Sequence, residues 1–388
     1  MKIQLFSNAT YTPNIIPKRS GSIAFIALIC ILAFSELFGC SRFATTLNYH
    51  TIVAILSVCA FLFIKKPTSM ISGAFKGLCI LSCLLMAFLA ITNYQPDKYQ
   101  IVNLISTFGI ILFVQRFSNL KWEKYDMYKL GLALSVLGLI ETYLLLPGNL
   151  FSGWNSNSSI LAIPVVLMGL SCIMVAAKPK LWQIVLIFLA ALFLLSKLAN
   201  RSSLIAMFMF AGVCLYPICI MKRKWFRILY GTIILINVAT PYFSSWFESL
   251  ALFNELIDAT ADVTESGKIG ISAFNGREDV WEWSVDNIHL HPLFGLYGAR
   301  QVYPHNFSLD LLNQFGWLGW ITFTLMLVVV LEKSFKEGSK YNVFLLALLC
   351  VILLNTFENC FTCCNTLSFF SYVLIAVALR FNKDIVCV

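Results

Sequence analysis

Charge is what this sequence has least of. Only 12% of its 388 residues are Asp, Glu, Lys or Arg, about half the share of a typical soluble chain, and this excludes a surface bathed in water on every side. Histidine is scarcer, with four in the chain. The one closely spaced pair, His289 and His291, has no further ligands at metal-site spacing, so no metal centre is expected and a hydrogen-bonded structural role is favoured for both. Cysteine is present but its usual pattern is missing. The 13 cysteines include single residues in apolar runs, such as Cys30, Cys59, Cys79, Cys83, Cys172, Cys214 and Cys219, which read as small hydrophobes and not as a disulfide framework. Cys360, Cys363 and Cys364 gather near a helix end, where simple packing outweighs a redox pair. No internal repeat is visible, and the apolar runs are continuous and do not alternate as half-buried strands do.

What the chain has instead is apolar residues, 59% of the total, with a mean hydropathy of +0.81. Runs of spanning length fall at about 22–40, 48–64, 71–92, 99–115, 128–146, 159–177, 181–197, 203–220, 228–243, 311–331, 342–359 and 364–380. A backbone in hydrocarbon must satisfy its own hydrogen bonds, so these predict an all-α polytopic membrane protein of about 12 transmembrane helices in one domain spanning 1–388.

The net charge of +9 invites a nucleic-acid partner until the basic residues are placed. With the N-terminus cytoplasmic, 20 Lys and Arg fall on that side and seven on the other, Lys76 remaining inside a span. Both termini are therefore expected in the cytoplasm, and the positive balance is a topology signal that needs no nucleic acid.

Residues 244–310 break the pattern of short connectors. They hold three of the four histidines, and 244–309 holds nine of the 19 acids. Function is expected in this large periplasmic loop. Ser245 to Thr260 carries Trp246, Leu250, Phe253 and Ile257 at helical spacing, which predicts an interfacial amphipathic helix. A second short helix is predicted from near Asn275 to before Pro292, with Glu278 and Asp279 in its first turn and Trp281, Val285 and Ile288 on one face.

Several residues there and elsewhere are candidates for chemistry. His305, in Tyr303-Pro304-His305-Asn306 just before the tenth span, is a natural proton acceptor for a hydroxyl near neutral pH, and equally a cap for the helix that follows. Arg277, in the first turn of the loop's second helix, suits a phosphate or pyrophosphate, or an ion pair with Glu278 or Asp279. Arg201, at the outer turn between the seventh and eighth spans, either joins such a site or snorkels to the interface. Glu36, Glu141 and Glu358 interrupt apolar runs in the outer third of their helices. With Asp310 they line a cavity for hydroxyl-rich sugars, or sit as acids at the water interface.

The runs Asn275-Gly276-Arg277-Glu278-Asp279-Val280-Trp281, His291-Pro292-Leu293-Phe294-Gly295-Leu296-Tyr297-Gly298, Pro304-His305-Asn306-Phe307-Ser308-Leu309 and Phe315-Gly316-Trp317-Leu318-Gly319 form a set. Over about 45 residues the chain resembles the O-antigen polymerase and O-antigen ligase superfamily of bacterial inner-membrane glycosyltransferases. That resemblance implies a GT-C-like bundle using a polyprenyl-pyrophosphate-linked glycan on the periplasmic face, with no cofactor, nucleotide sugar or metal. His305 falls on the family's general base, Arg277 on the arginine contacting the donor pyrophosphate, and Arg201, more loosely, on the arginine of the outer turn. The implied partners are an undecaprenyl-pyrophosphate-linked oligosaccharide, membrane lipid and a chain-length regulator. Polymerase is favoured over ligase, which would use lipid A-core as acceptor, and over a transporter or flippase of lipid-linked sugars.

Overall fold

The computed structural model describes residues 124–144, 146, 159–176, 180–197, 201–215, 221–243, 278–295 and 304–356, together with Cys30, Leu374, Ile375 and Ala378. The first four apolar runs apart from Cys30, the amphipathic helix over 245–260, Glu36, Arg277, Glu358 and the cysteines at 360–364 lie outside the described residues. Described residues are 86% helical and contain no strand. Their helices, in chain order, are α1 Lys124–Leu144, α2 Ser159–Val175, α3 Leu181–Lys197, α4 Arg201–Leu215, α5 Arg223–Ala239, α6 Glu278–Leu290, α7 Phe307–Ser334 and α8 Asn342–Leu354. A 3-10 turn, Thr240–Phe243, extends α5.

Seven of the eight fall on apolar runs, and the eighth, α6, is the short helix expected before Pro292. Tyr125–Leu144, Arg223–Phe243 and Gly316–Ser334 are long and apolar enough to cross a membrane; the other apolar helices are shorter.

The centre of the bundle is α8. Its sequence, NVFLLALLCVILL, is apolar all round, and 12 of its 13 residues are buried, as a helix without a polar face requires. α2, α4 and α5 pack around it. α1 and α2 approach most closely because glycines line their contact. A Cβ on Gly131 would stand 2.8 Å from the Gly169 carbonyl oxygen, one on Gly169 only 2.4 Å from Ser135 Oγ, and one on Gly138 only 2.5 Å from Val166 Cγ2. Small residues that let backbones meet are the usual basis of helix association where lipid removes the hydrophobic drive.

One end of the bundle is tied by charge. Arg227 makes a two-pronged ion pair with Glu332, at 2.8 and 3.0 Å, and Tyr230 donates its hydroxyl to the same carboxylate at 2.8 Å. Arg223 donates to the Phe335 carbonyl at 3.1 Å, and Lys340 to the Val175 carbonyl at 3.1 Å. Thus the C-terminal ends of α2 and α7 meet the N-terminal ends of α5 and α8. The opposite end is tied by amides, and it carries the candidate site.

Candidate functional site

Asn306 organises this end. Its side-chain oxygen accepts from the Leu309 N–H at 2.9 Å, capping α7, while its amide nitrogen donates to the Asn237 carbonyl at 3.0 Å and the Thr356 carbonyl at 2.9 Å. One side chain thereby joins the start of α7 to the ends of α5 and α8. Asn237 continues the chain of bonds, donating to the Ile352 carbonyl at 3.0 Å and accepting from Ser308 Oγ at 2.7 Å, and Trp320 Nε1 donates to Ser308 Oγ at 3.0 Å. The Phe307 N–H donates to the Asn355 carbonyl at 2.9 Å. Asn237, Asn306, Ser308 and Asn355 are buried, so each amide and hydroxyl bonded here avoids the cost of desolvation without a partner.

His305 sits immediately before this knot. Its φ is +49°, the only positive φ of a non-glycine among the described residues, and it is partly exposed between buried neighbours. On its other side Trp281, fully buried on α6, donates Nε1 to the Pro304 carbonyl at 2.7 Å. The cap of α7 is Asn306, so the capping role open to His305 in the sequence is taken by its neighbour. His305, partly exposed, thus belongs to a segment clamped on both sides. Backbone held in a sparsely populated region by its surroundings is common at sites of function.

α6 is fixed by the face expected of it. Trp281 and Ile288 are buried with Leu309 and Leu312, and Val285, Val238 and Trp320 pack around them. Asn287 Nδ2 donates to Asn313 Oδ1 at 3.2 Å. The remaining face of α6, with Asp279, Glu282, Asp286 and His289, is exposed, as is His291. The helix ends as Pro292 and Gly295 dictate: the Gly295 N–H closes a turn onto the His291 carbonyl at 3.0 Å with φ +69°.

That turn meets a break in α7. At Gly316 the backbone leaves helical geometry, with φ +61° and ψ −167°, so that the expected tenth span is two pieces and not one rod. The N–H groups freed by the break go to the turn, Trp317 N–H to the Pro292 carbonyl at 2.8 Å and Leu318 N–H to the Leu293 carbonyl at 3.3 Å. A Cβ at Gly316 would lie 2.3 Å from the Leu293 carbonyl carbon and oxygen, so only glycine fits. The three C-terminal motifs, apart in sequence, are thus held together: the Pro292–Gly295 turn on Gly316, and Pro304-His305-Asn306 between α6 and the amide knot.

No family model matches the chain, and no curated protein or solved structure matches it.

The other candidates divide. Asp310 is buried in the first turn of α7, four residues after the Asn306 cap, and its N–H donates to the Asn306 carbonyl at 3.0 Å. Glu141 is buried near the end of α1, and none of the described residues gives its Oε1 a hydrogen bond. Arg201 is the first residue of α4. Glu36, Glu358 and Arg277 are among the residues outside those described. Among the described residues, no three His, Cys, Asp or Glu gather as metal ligands. Asn237, Trp281 and the Gly316 break went unnoticed as site-building features in the sequence. The signal for Asn237 was a lone amide in the apolar run of α5, TIILINVA, and for Gly316 a glycine pair, Gly316 and Gly319, within a span.

Proposed function

We infer that the protein is a glycosyltransferase of the bacterial inner membrane with its active site facing the periplasm, and that it polymerises a surface polysaccharide such as O-antigen. The donor is a glycan on undecaprenyl pyrophosphate, and the acceptor is a hydroxyl of another lipid-linked repeat unit. The observation that carries this is the clamped, positive-φ His305 beside the knot of Asn306, at the amide-tied end of the bundle. With it stands the resemblance of the three motifs gathered there.

In the mechanism, His305 accepts the proton of the acceptor hydroxyl as its oxygen attacks the anomeric carbon. The bond from that carbon to the pyrophosphate oxygen breaks, and undecaprenyl pyrophosphate leaves. Arg277 and Arg201 hold the pyrophosphate, where fixed cations best oppose the charge that develops on the leaving oxygen. No metal or nucleotide enters the scheme, and a chain-length regulator is the protein partner it calls for.

The test is elongation of lipid-linked glycan by purified protein. His305→Ala is expected to slow it by roughly 10²- to 10⁴-fold, the usual worth of a positioned base, with Arg277→Ala also strongly impaired. Elongation at the unmutated rate in either variant would overturn the assignment. A deletion strain separates the two acceptors: lipopolysaccharide capped with a single repeat indicates a polymerase, and finished polymer stranded on its lipid carrier indicates the ligase reaction onto lipid A-core.

A second reading, transport of lipid-linked sugars, draws on two observations, the interrupted α7 and the buried Glu141, whose Oε1 no described residue bonds, since broken helices and intramembrane acids are common in transporters. Movement of lipid-linked sugar across reconstituted vesicles without new glycosidic bonds would favour it over the enzyme.

A further inference from the structure

The turn that follows α6 belongs to the segment expected as a periplasmic loop, yet its surface is that of a membrane span. Leu290, Leu293 and Phe294 are 75%, 62% and 58% exposed. They are joined by Leu318, Ile321, Leu325 and Val329, the exposed apolar stripe that runs down α7 at spacings of three and four residues. The two surfaces are continuous because the turn is bonded to α7 at Trp317 and Leu318.

Depth can be read along α7. Glu332, paired with Arg227 and Arg223, marks one edge of the hydrocarbon, since a charged cluster is held at the interface. At about 1.5 Å rise per residue, Gly316 lies about 24 Å from Glu332 along the axis, and any tilt shortens that distance across the membrane. A hydrocarbon core is about 30 Å thick. Gly316, and the Leu293 carbonyl in contact with it, therefore fall inside the far edge of the core. The neighbouring span agrees: exposed Trp225 and Tyr242 stand at opposite ends of the α5 span like an aromatic belt, about 26 Å apart along the axis.

We propose that residues 290–294 form a re-entrant turn immersed in the acyl chains of the periplasmic leaflet, with bilayer lipid as the occupant of its exposed face. Irregular backbone survives at that depth only if its polar groups are satisfied. The turn meets much of that demand: the carbonyls of His291, Pro292 and Leu293 accept from Gly295, Trp317 and Leu318, the His291 N–H donates to the Asn287 carbonyl, and Pro292 has no N–H to satisfy. The polar face of α6, with Asp279, Glu282, Asp286 and His289, stays with the headgroups and water, and the helix dips only at its C-terminal end. His291, exposed at the start of the turn, keeps its ring at the boundary between the two. The proposal concerns where the segment lies and is independent of the reaction assigned to the protein.

The experiment places a photoreactive phenylalanine analogue at position 294 of the full chain, reconstituted in phosphatidylethanolamine and phosphatidylglycerol vesicles carrying a radiolabelled phospholipid. Positions 325, on the lipid stripe of α7, and 286, on the polar face of α6, serve as references. The expected result is lipid adduct at 294 within about twofold of that at 325 and about tenfold above 286, as hydrocarbon immersion requires. Labelling at 294 no greater than at 286 would overturn the proposal, and so would an adduct joining two copies of the chain, which would make the face a protein interface. If the substitution at 294 prevents folding, the same comparison is made at position 290, and the same outcomes decide it.

Discussion

At the scale of single residues, two side chains and one missing side chain hold the candidate site. Gly316 combines φ +61° with a backbone neighbour that would stand 2.3 Å from any Cβ. Gly316→Ala is therefore expected to cost at least about 3 kcal/mol, since both the conformation and the carbonyl of Leu293 would have to give. Gly212, also in a helix but with open space around its Cβ position, is the control. Gly212→Ala is expected to be neutral or stabilising by up to about 1 kcal/mol. Thermal unfolding in detergent compares the two, and equal midpoints would show that the break in α7 is not required. Asn306→Ala removes a cap and leaves two buried carbonyls without their donor, a loss of about 2–4 kcal/mol. Asn306→Ser restores only the cap and is expected to recover about 1 kcal/mol of it. Trp281 was legible as a core residue from its place on the apolar face of α6. Its bond to the Pro304 carbonyl was not, because nothing in a sequence says which carbonyl an indole 23 residues away will meet.

At the scale of elements, helix positions followed the apolar runs closely. Leu181–Lys197 falls on its run without adjustment, and α6 begins with Glu278 and Asp279 and ends two residues before Pro292. Continuous hydrophobicity signals a helix wherever lipid or core surrounds it, so existence was easy to read. The break in α7 was hidden for the same reason: the run stays apolar through Trp317-Leu318-Gly319-Trp320, and a helix is interrupted there by what another segment does. The contact of α1 with α2 was equally silent, because glycine in an apolar run looks like weak helix propensity until a facing glycine is known. Gly131 and Gly169 face each other with no room for a methyl group. Gly131→Leu or Gly169→Leu is expected to separate α1 from α2 and lower stability by about 1–3 kcal/mol, the usual range for overpacking a close contact. Gly231→Leu, where nothing lies within 4 Å of the Cβ position, is expected to leave the unfolding midpoint unchanged or raise it. If the three variants unfold alike, the glycine contact does not hold these helices.

At the scale of the whole molecule, charge and amides divide the two ends of the bundle between them. Arg223, Arg227 and Lys340 were counted in the sequence as residues that orient the chain toward the cytoplasm. In the fold they also bind, to Glu332, Phe335 and Val175, so a count of basic residues blends insertion with packing. Hydrogen bonds place the start of α5 against the end of α7, and the end of α2 against the start of α8. Reporter fusions decide which side of the membrane these ends face. A fusion of alkaline phosphatase after Phe243, at the amide-tied end, is expected to be active, and one after Ser339, at the charged end, inactive, as the positive-inside rule requires. The reverse pattern would put His305 in the cytoplasm and remove the periplasmic donor from its reach. Activity at both positions would mean that α7 does not cross, and the depth assigned to the turn at 290–294 would fall with it. The Glu332→Gln variant separates the two uses of charge: it leaves every Lys and Arg in place, so the fusion pattern should persist, while loss of the two-pronged pair with Arg227 lowers the unfolding midpoint only slightly, as befits a pair near the surface.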